Sequence, residues 1–340
     1  MRQRTPEFGL ILALTIRGLA IQTYSDMRRV VHDADKLDFD SVWLCDHFLT
    51  LSPDHYTAQA GVDRTKEESG ASQDGEGAQR RNSIPLLECW TALSALSRET
   101  TRLRLGTSVL CNSFRNPAVL AKMAATLDVI SEGRLDLGLG AGWFKAEFEA
   151  YGFPFPGAGA RIEQLEESLE IIRRMWTEDN PVYRGTHHSI NGAICDPAPL
   201  QRPHPPIWIG GEGDKVHRAA AKLADGVNMR WWSPDRFRLR AKYLQDACHE
   251  FGRDPDSVRM SATLLVIVSN DSQEIHELRS QFGAIPPDGI VAGTAEQCSK
   301  RLQEYRDAGV HHFLLTIPHV EKTDSLQLIG EKILPALKSN

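Results

Sequence analysis

Apolar and polar positions along the chain switch between two periods. Short runs of mostly apolar residues, as in buried strands, precede stretches with apolar residues at three- and four-residue steps, as in helices packed on one side. Residues 8–14 predict a first strand and 26–37 a first helix; 41–44 and 87–98 repeat the pair. The most informative stretch is 104–143. Leu103 and Leu105 lead into Gly106-Thr107-Ser108-Val109, Asn116-Pro117 opens a helix that ends near Gly133, and a second buried strand at 135–139 runs into a glycine-dense turn. This is a βαβ unit, whose parallel strands leave their loops on one sheet edge, where α/β enzymes bind ligands. Residues 161–176 carry Ile162, Leu165, Leu169, Ile172 and Met175 at helical spacing. Further strands are predicted at 206–209, 226–228, 259–268 and 312–317, with a helix at 215–223.

Eight β-runs interleaved with helices fit a (β/α)8 TIM barrel with insertions better than a doubly wound sheet with a cap. No linker divides residues 1–340, which predicts one domain. Two segments interrupt the rhythm. Residues 52–83 are polar and almost without aliphatic side chains; composition predicts a mobile loop, and its place after strand two sets it, lid-like, over the strands' C-terminal edge. Residues 181–206 predict a hairpin followed by a Pro-rich connection.

At 340 residues and 41% hydrophobic the chain can bury a large core. A formal charge of −6 with dispersed basic residues argues against a nucleic-acid surface. No apolar run spans a bilayer, and the first residues lead into a strand rather than a signal-peptide core, so the expectation is a cytoplasmic protein without a membrane partner. The six cysteines have no paired spacing, as for ordinary reduced thiols.

Asp46-His47-Phe48 lies just past strand two, where barrel enzymes place catalytic groups, and a histidine there can move a proton. Gly138-Leu139-Gly140-Ala141-Gly142 lacks the helix and the acidic residue of a dinucleotide fingerprint and reads better as a tight turn on which a flat ligand packs. Gly210-Gly211-Glu212-Gly213 precedes a helix whose N-terminal amides, helped by Lys215, suit a phosphate. Val291 to Glu296 also opens a helix, with Thr294 as its N-cap. His187-His188 and His311-His312 are adjacent pairs on strands, each able to offer one ligand to a common ion; with no HxH or HExxH, no metal is expected. Trp231-Trp232 and Trp143 are candidates for the wall of an aromatic pocket.

The chain resembles the bacterial luciferase-like superfamily, within its deazaflavin (coenzyme F420)-dependent oxidoreductases, over nearly its whole length. The resemblance is most specific in residues 41–48, 105–110 with 115–118, 133–143 and 206–211. It implies a (β/α)8 barrel with the cofactor ring at the C-terminal ends of the strands. It assigns His47 as active-site acid/base, Asp46 as a hydrogen-bond partner of the ring, and Ser108-Val109 as a bulge with a non-prolyl cis peptide supporting one ring face. Cys111, Ala141 and Gly142 would line the ring, and Glu212, Gly213, Lys215 and Val216 would hold the phosphate end. Two departures bear on substrate. The sugar-phosphate dehydrogenase branch has a catalytic Glu where this chain has Trp143, and a Trp where it has Leu51. Sugar-phosphate oxidation is therefore not supported, and the substrate pocket around Trp143 and Leu51 points to a small, apolar or flat organic molecule. The expected reaction is hydride transfer with coenzyme F420. The alternatives are an FMN enzyme, reduced FMN and oxygen serving a monooxygenase on the same fold, and a non-catalytic flavin-binding protein. A homodimer is common among such proteins.

Overall fold

The computed structural model describes residues 5–13, 16, 18–50, 84–283 and 285–339. The expected lid at 52–83 and the pocket residue Leu51 lie outside the described residues.

The chain runs through β1 (Glu7–Ala13), α1 (Tyr24–Lys36), β2 (Ser41–Leu44), α2 (Cys89–Leu96) and β3 (Arg104–Thr107), which continues as β4 (Leu110–Cys111). Next come α3 (Pro117–Ile130), β5 (Leu135–Gly140), α4 (Lys145–Ala150), α5 (Ala158–Thr177) and the hairpin β6 (Val182–Arg184) and β7 (Ser189–Asn191). Then follow β8 (Ile207–Gly210), α6 (Asp214–Leu223), β9 (Gly226–Arg230), α7 (Pro234–Glu250), β10 (Arg259–Val268), α8 (Ser272–Gln281), β11 (Ile290–Gly293), α9 (Ala295–Asp307) and β12 (His312–Thr316), after which residues 325–338 are helical. Eight strands (β1, β2, β3, β5, β8, β9, β10 and β12) pair in parallel around a closed ring, β9 to β10, β10 to β12 and β12 to β1 completing it. This is the (β/α)8 barrel.

Several helices begin where the sequence supplies caps. Asn116 accepts from the amides of Ala118 and Val119 ahead of α3, with Pro117 in the first turn, where its missing N–H costs nothing. Thr294 and Gln297 form a reciprocal capping box on α9. Inside the barrel two tryptophans fill the space that glycines leave. Trp43 and Trp208 meet edge to face, 5.8 Å between ring centroids. A Cβ on Gly106 would lie 2.2 Å from the Trp43 ring, and one on Gly226 2.2 Å from that of Trp208. Both indole N–H groups are satisfied, Trp43 by Ser41 Oγ at 2.8 Å and Trp208 by Asp136 Oδ1 at 3.1 Å. His312 packs against both rings and bonds Ser261 Oγ.

Two elements differ from expectation. The residues after Gly142, where the sequence predicts no helix, contain α4, too short to show a period and followed by Pro154 and Pro156. Val291 to Gly293, expected only as a turn, belongs to β11, which pairs in parallel with the second half of β10 outside the ring. Among the described residues no helix is long and apolar enough to cross a membrane.

Candidate active site

The C-terminal ends of β2, β3, β5 and β8 build the site. After Thr107 the Ser108-Val109 peptide is cis, as the resemblance implies. The bulge is held on both sides: Ser108 N donates to Leu44 O at 2.8 Å, and Leu110 and Cys111 pair with Leu139 and Gly140. Thr107 Oγ1 bonds both the amide and the carbonyl of Gly138, at 2.9 Å each. The glycines here are required by space. A Cβ on Gly138 would sit 2.0 Å from Thr107 O, and Cβ atoms on Gly140 and Gly210 would come within 2.8 and 2.7 Å of the Val109 side chain. Gly142 also has φ +76°, a conformation that side chains resist. Val109 thus seats the bulge on the ends of β5 and β8.

Asp46 is fixed from below. Its side chain is inaccessible to solvent and accepts from Cys111 N (2.9 Å) and, in a fork, from both terminal nitrogens of Arg115 (2.6 and 3.0 Å). The second of these also donates to Glu88 (2.6 Å), whose carboxylate caps α2. Burial works to lower the Arg115 guanidinium, but the Asp46 carboxylate overrides it and holds the group above its usual range. Burial is the main force pushing the neighbouring thiols of Cys45 and Cys111 up to about 12, so neither is a nucleophile at neutral pH.

His47 follows at the mouth, its side chain 15% exposed. Its Nδ1 lies 2.9 Å from Oε2 of Glu147, a residue of α4 that is 2% exposed. Oε1 of the same carboxylate accepts from the amides of Phe48 (2.8 Å) and Leu49 (2.9 Å). The half-buried Trp143 meets the His47 ring edge to face at 5.9 Å, and the Arg230 guanidinium, from the end of β9, stands 5.7 Å from the Trp143 ring. Phe48 packs on Phe114 and Tyr151, and Phe114 on Phe148 and Phe153, tying the loops after β2, β4 and α4 together.

Beside Val109, β8 ends in the Gly210 to Gly213 turn and α6 begins. Gly213 is its N-cap, with no side chain bonding the first amides, and a Cβ there would meet nothing within 4 Å. Gly213 and Lys215 are exposed, Glu212 is half-buried and Val216 buried. The helix therefore offers open N–H groups, the arrangement that receives a phosphate.

The structure brings His47, Ser108, Val109, Cys111, Ala141, Gly142 and Trp143 to one mouth, with the start of α6 adjoining it. Trp231 and Trp232 are buried, and Trp232 packs under Arg236 and against Phe237. Three site residues were not singled out from the sequence: Glu147, hidden in a helix of six residues; Arg115, which lies in a stretch that carries the resemblance but whose partner is 69 positions away; and Arg230, at a strand end.

Comparison with known proteins matches residues 7–287 to the luciferase-like monooxygenase family. An F420-dependent glucose-6-phosphate dehydrogenase of Microbacterium testaceum is 27% identical over 336 residues, covering 90% of this chain and 91% of the relative. An FMNH2-dependent dimethylsulfone monooxygenase of Pseudomonas putida is 25% identical over 74% of this chain and 78% of its own. Among solved structures, an F420-dependent secondary alcohol dehydrogenase in complex with an F420-acetone adduct superposes with a TM-score of 0.77 at 21% identity, covering 98% of this chain and 99% of that one.

Proposed function

Because the chain belongs to the luciferase-like monooxygenase family, we propose that it is an oxidoreductase that uses coenzyme F420 to transfer hydride to or from a small organic substrate. Support for F420 comes from relatives that cover nearly the whole chain, such as the glucose-6-phosphate dehydrogenase above. The residues present fit such a group. The cis bulge and the glycine turn offer bare backbone to a flat ring, and the uncapped start of α6 offers amides to a phosphate. When bound, the deazaflavin supplies the carbon that gives or takes hydride.

The observation that carries the proposal is the convergence of His47, the Ser108-Val109 bulge and Trp143 on one mouth of the barrel. His47 gives or takes the proton that accompanies hydride transfer. Ser108, Val109, Cys111, Ala141 and Gly142 line the ring, while Glu212, Gly213, Lys215 and Val216 hold the phosphate end. In place of the bond to the ring that the resemblance implies for Asp46, its buried carboxylate, engaged by Arg115 and the Cys111 amide, acts by holding the loop that carries His47. Trp143 replaces the catalytic Glu of the sugar-phosphate branch, so the substrate is apolar or flat and not a sugar phosphate. We also infer a cytoplasmic homodimer; Val119, Ile130 and Ile194, exposed around one groove, support contact between copies.

Calorimetric titration of the cofactor-free protein with F420 and with FMN separates the two cofactors: tighter F420 binding is expected, and a preference for FMN would make the protein an oxygen-using monooxygenase. His47→Ala should lower turnover by about 100-fold or more while cofactor affinity stays within a few fold. Retained turnover with lost cofactor binding would make His47 a binding residue.

A further inference from the structure

We propose that Glu147 is a positioning residue that fixes the tautomer of His47, leaving Nε2 as the atom that exchanges the proton. The proposal rests on His47 being the acid/base. A carboxylate has no hydrogen to give, so the 2.9 Å contact between Oε2 and His47 Nδ1 requires the ring to donate from Nδ1. In the neutral imidazole Nε2 is then a bare acceptor, and it gains a proton only by taking one. Oε1 meanwhile holds the amides of Phe48 and Leu49, so one carboxylate sets both the ring's proton and the backbone that follows it. Glu147 is almost fully buried, whereas His47 keeps 15% of its side chain accessible. The carboxylate is thus screened from substrate, and the ring is reachable. Among the described residues, Trp143 and Phe144 are the other rings against His47, both in edge contact, and neither offers a competing carboxylate.

The test uses the difference between a carboxylate and an amide. In Glu147→Gln the side-chain carbonyl oxygen still accepts from Phe48 and Leu49, so the loop stays anchored. The other terminal atom becomes an NH2, which offers Nδ1 only hydrogens and drives the ring's proton to Nε2. Two-bond 1H–15N correlation spectra of the labelled, cofactor-free protein, recorded over a pH series, read the tautomer directly. A His47→Asn variant, lacking those cross-peaks, assigns them. The expected result is Nδ1–H in the natural protein and Nε2–H in Glu147→Gln, with turnover lowered about tenfold or more at an unchanged cofactor KM. Nε2–H in the natural protein overturns the proposal and needs no variant to fold; an unchanged tautomer and rate in Glu147→Gln overturn it equally. An inverted tautomer with full turnover refutes His47 as the acid/base, and the proposal falls with it.

Discussion

Replacing Arg115 with Met should cost the protein about 3–5 kcal/mol, because it strands the Asp46 carboxylate inside the barrel wall. Asp46 has no accessible side-chain surface and three donors, two of them from Arg115. Without the guanidinium, Oδ1 keeps no partner and Oδ2 only the Cys111 amide. A buried charge in that state carries the full penalty of leaving water, whereas removing both charges together leaves little to compensate. At about 2.1 cal/mol/K per residue, 340 residues lose about 0.7 kcal/mol per degree at the midpoint, so the expected fall in Tm is about 4–7 °C. Urea and thermal melts of Arg115→Met, Asp46→Asn and the double variant form the cycle. The double variant should be more stable than the sum of the singles by about 2 kcal/mol or more. A single-variant loss under about 1 kcal/mol, or simple additivity, would mean that Asp46 is solvated and that the fork is not what holds the His47 loop.

Two further outcomes follow from the cofactor end and from a buried imidazole. Lys215→Glu reverses the charge on the first turn of α6 and should weaken F420 by about fivefold or more while leaving the phosphate-free deazariboflavin core nearly unaffected; equal losses in calorimetry would move the phosphate elsewhere, the Val291 to Glu296 turn being next. Burial pushes the His217 imidazole down to about 4, against about 6.5 in the unfolded chain. The unfolded state therefore binds the extra proton, and stability, complete above about pH 6.5, is lost as pH falls toward 4, by roughly 3 kcal/mol from this group. His217→Gln should flatten that acid-side decline in urea melts between pH 7.5 and 5, and an unchanged slope would assign the decline to other groups.

All eight barrel strands were legible in the sequence, most of them as apolar runs bracketed by polar or glycine-rich turns, and the run from Leu135 to Gly140 is wholly buried as its composition implies. The hairpin was legible from Tyr183 to Ile190, and the cap of α9 from Thr294. Legibility stopped where partners are remote. Asp46 and His47 could be picked out because they adjoin a strand end, but nothing local joins Arg115 to the first or Glu147 to the second, 69 and 100 positions away. α4 escaped because six residues hold less than two turns, and hydrophobic periodicity needs more. β11 escaped because a four-residue strand beside a glycine cannot be told from the turn that opens α9.

The tryptophan pair in the barrel also gives the protein an optical label of its own. Of seven tryptophans, Trp43 and Trp208 are 2% and 1% accessible, in edge contact and hydrogen-bonded, so their emission reports a dry, rigid surrounding. Trp143 is half-buried beside His47, and a ligand in the proposed site would lie within quenching reach of it. Trp143→Phe should therefore remove much of the ligand-induced dimming and leave the red shift on unfolding in place. One cuvette can then follow occupancy of the mouth and integrity of the barrel as separate signals.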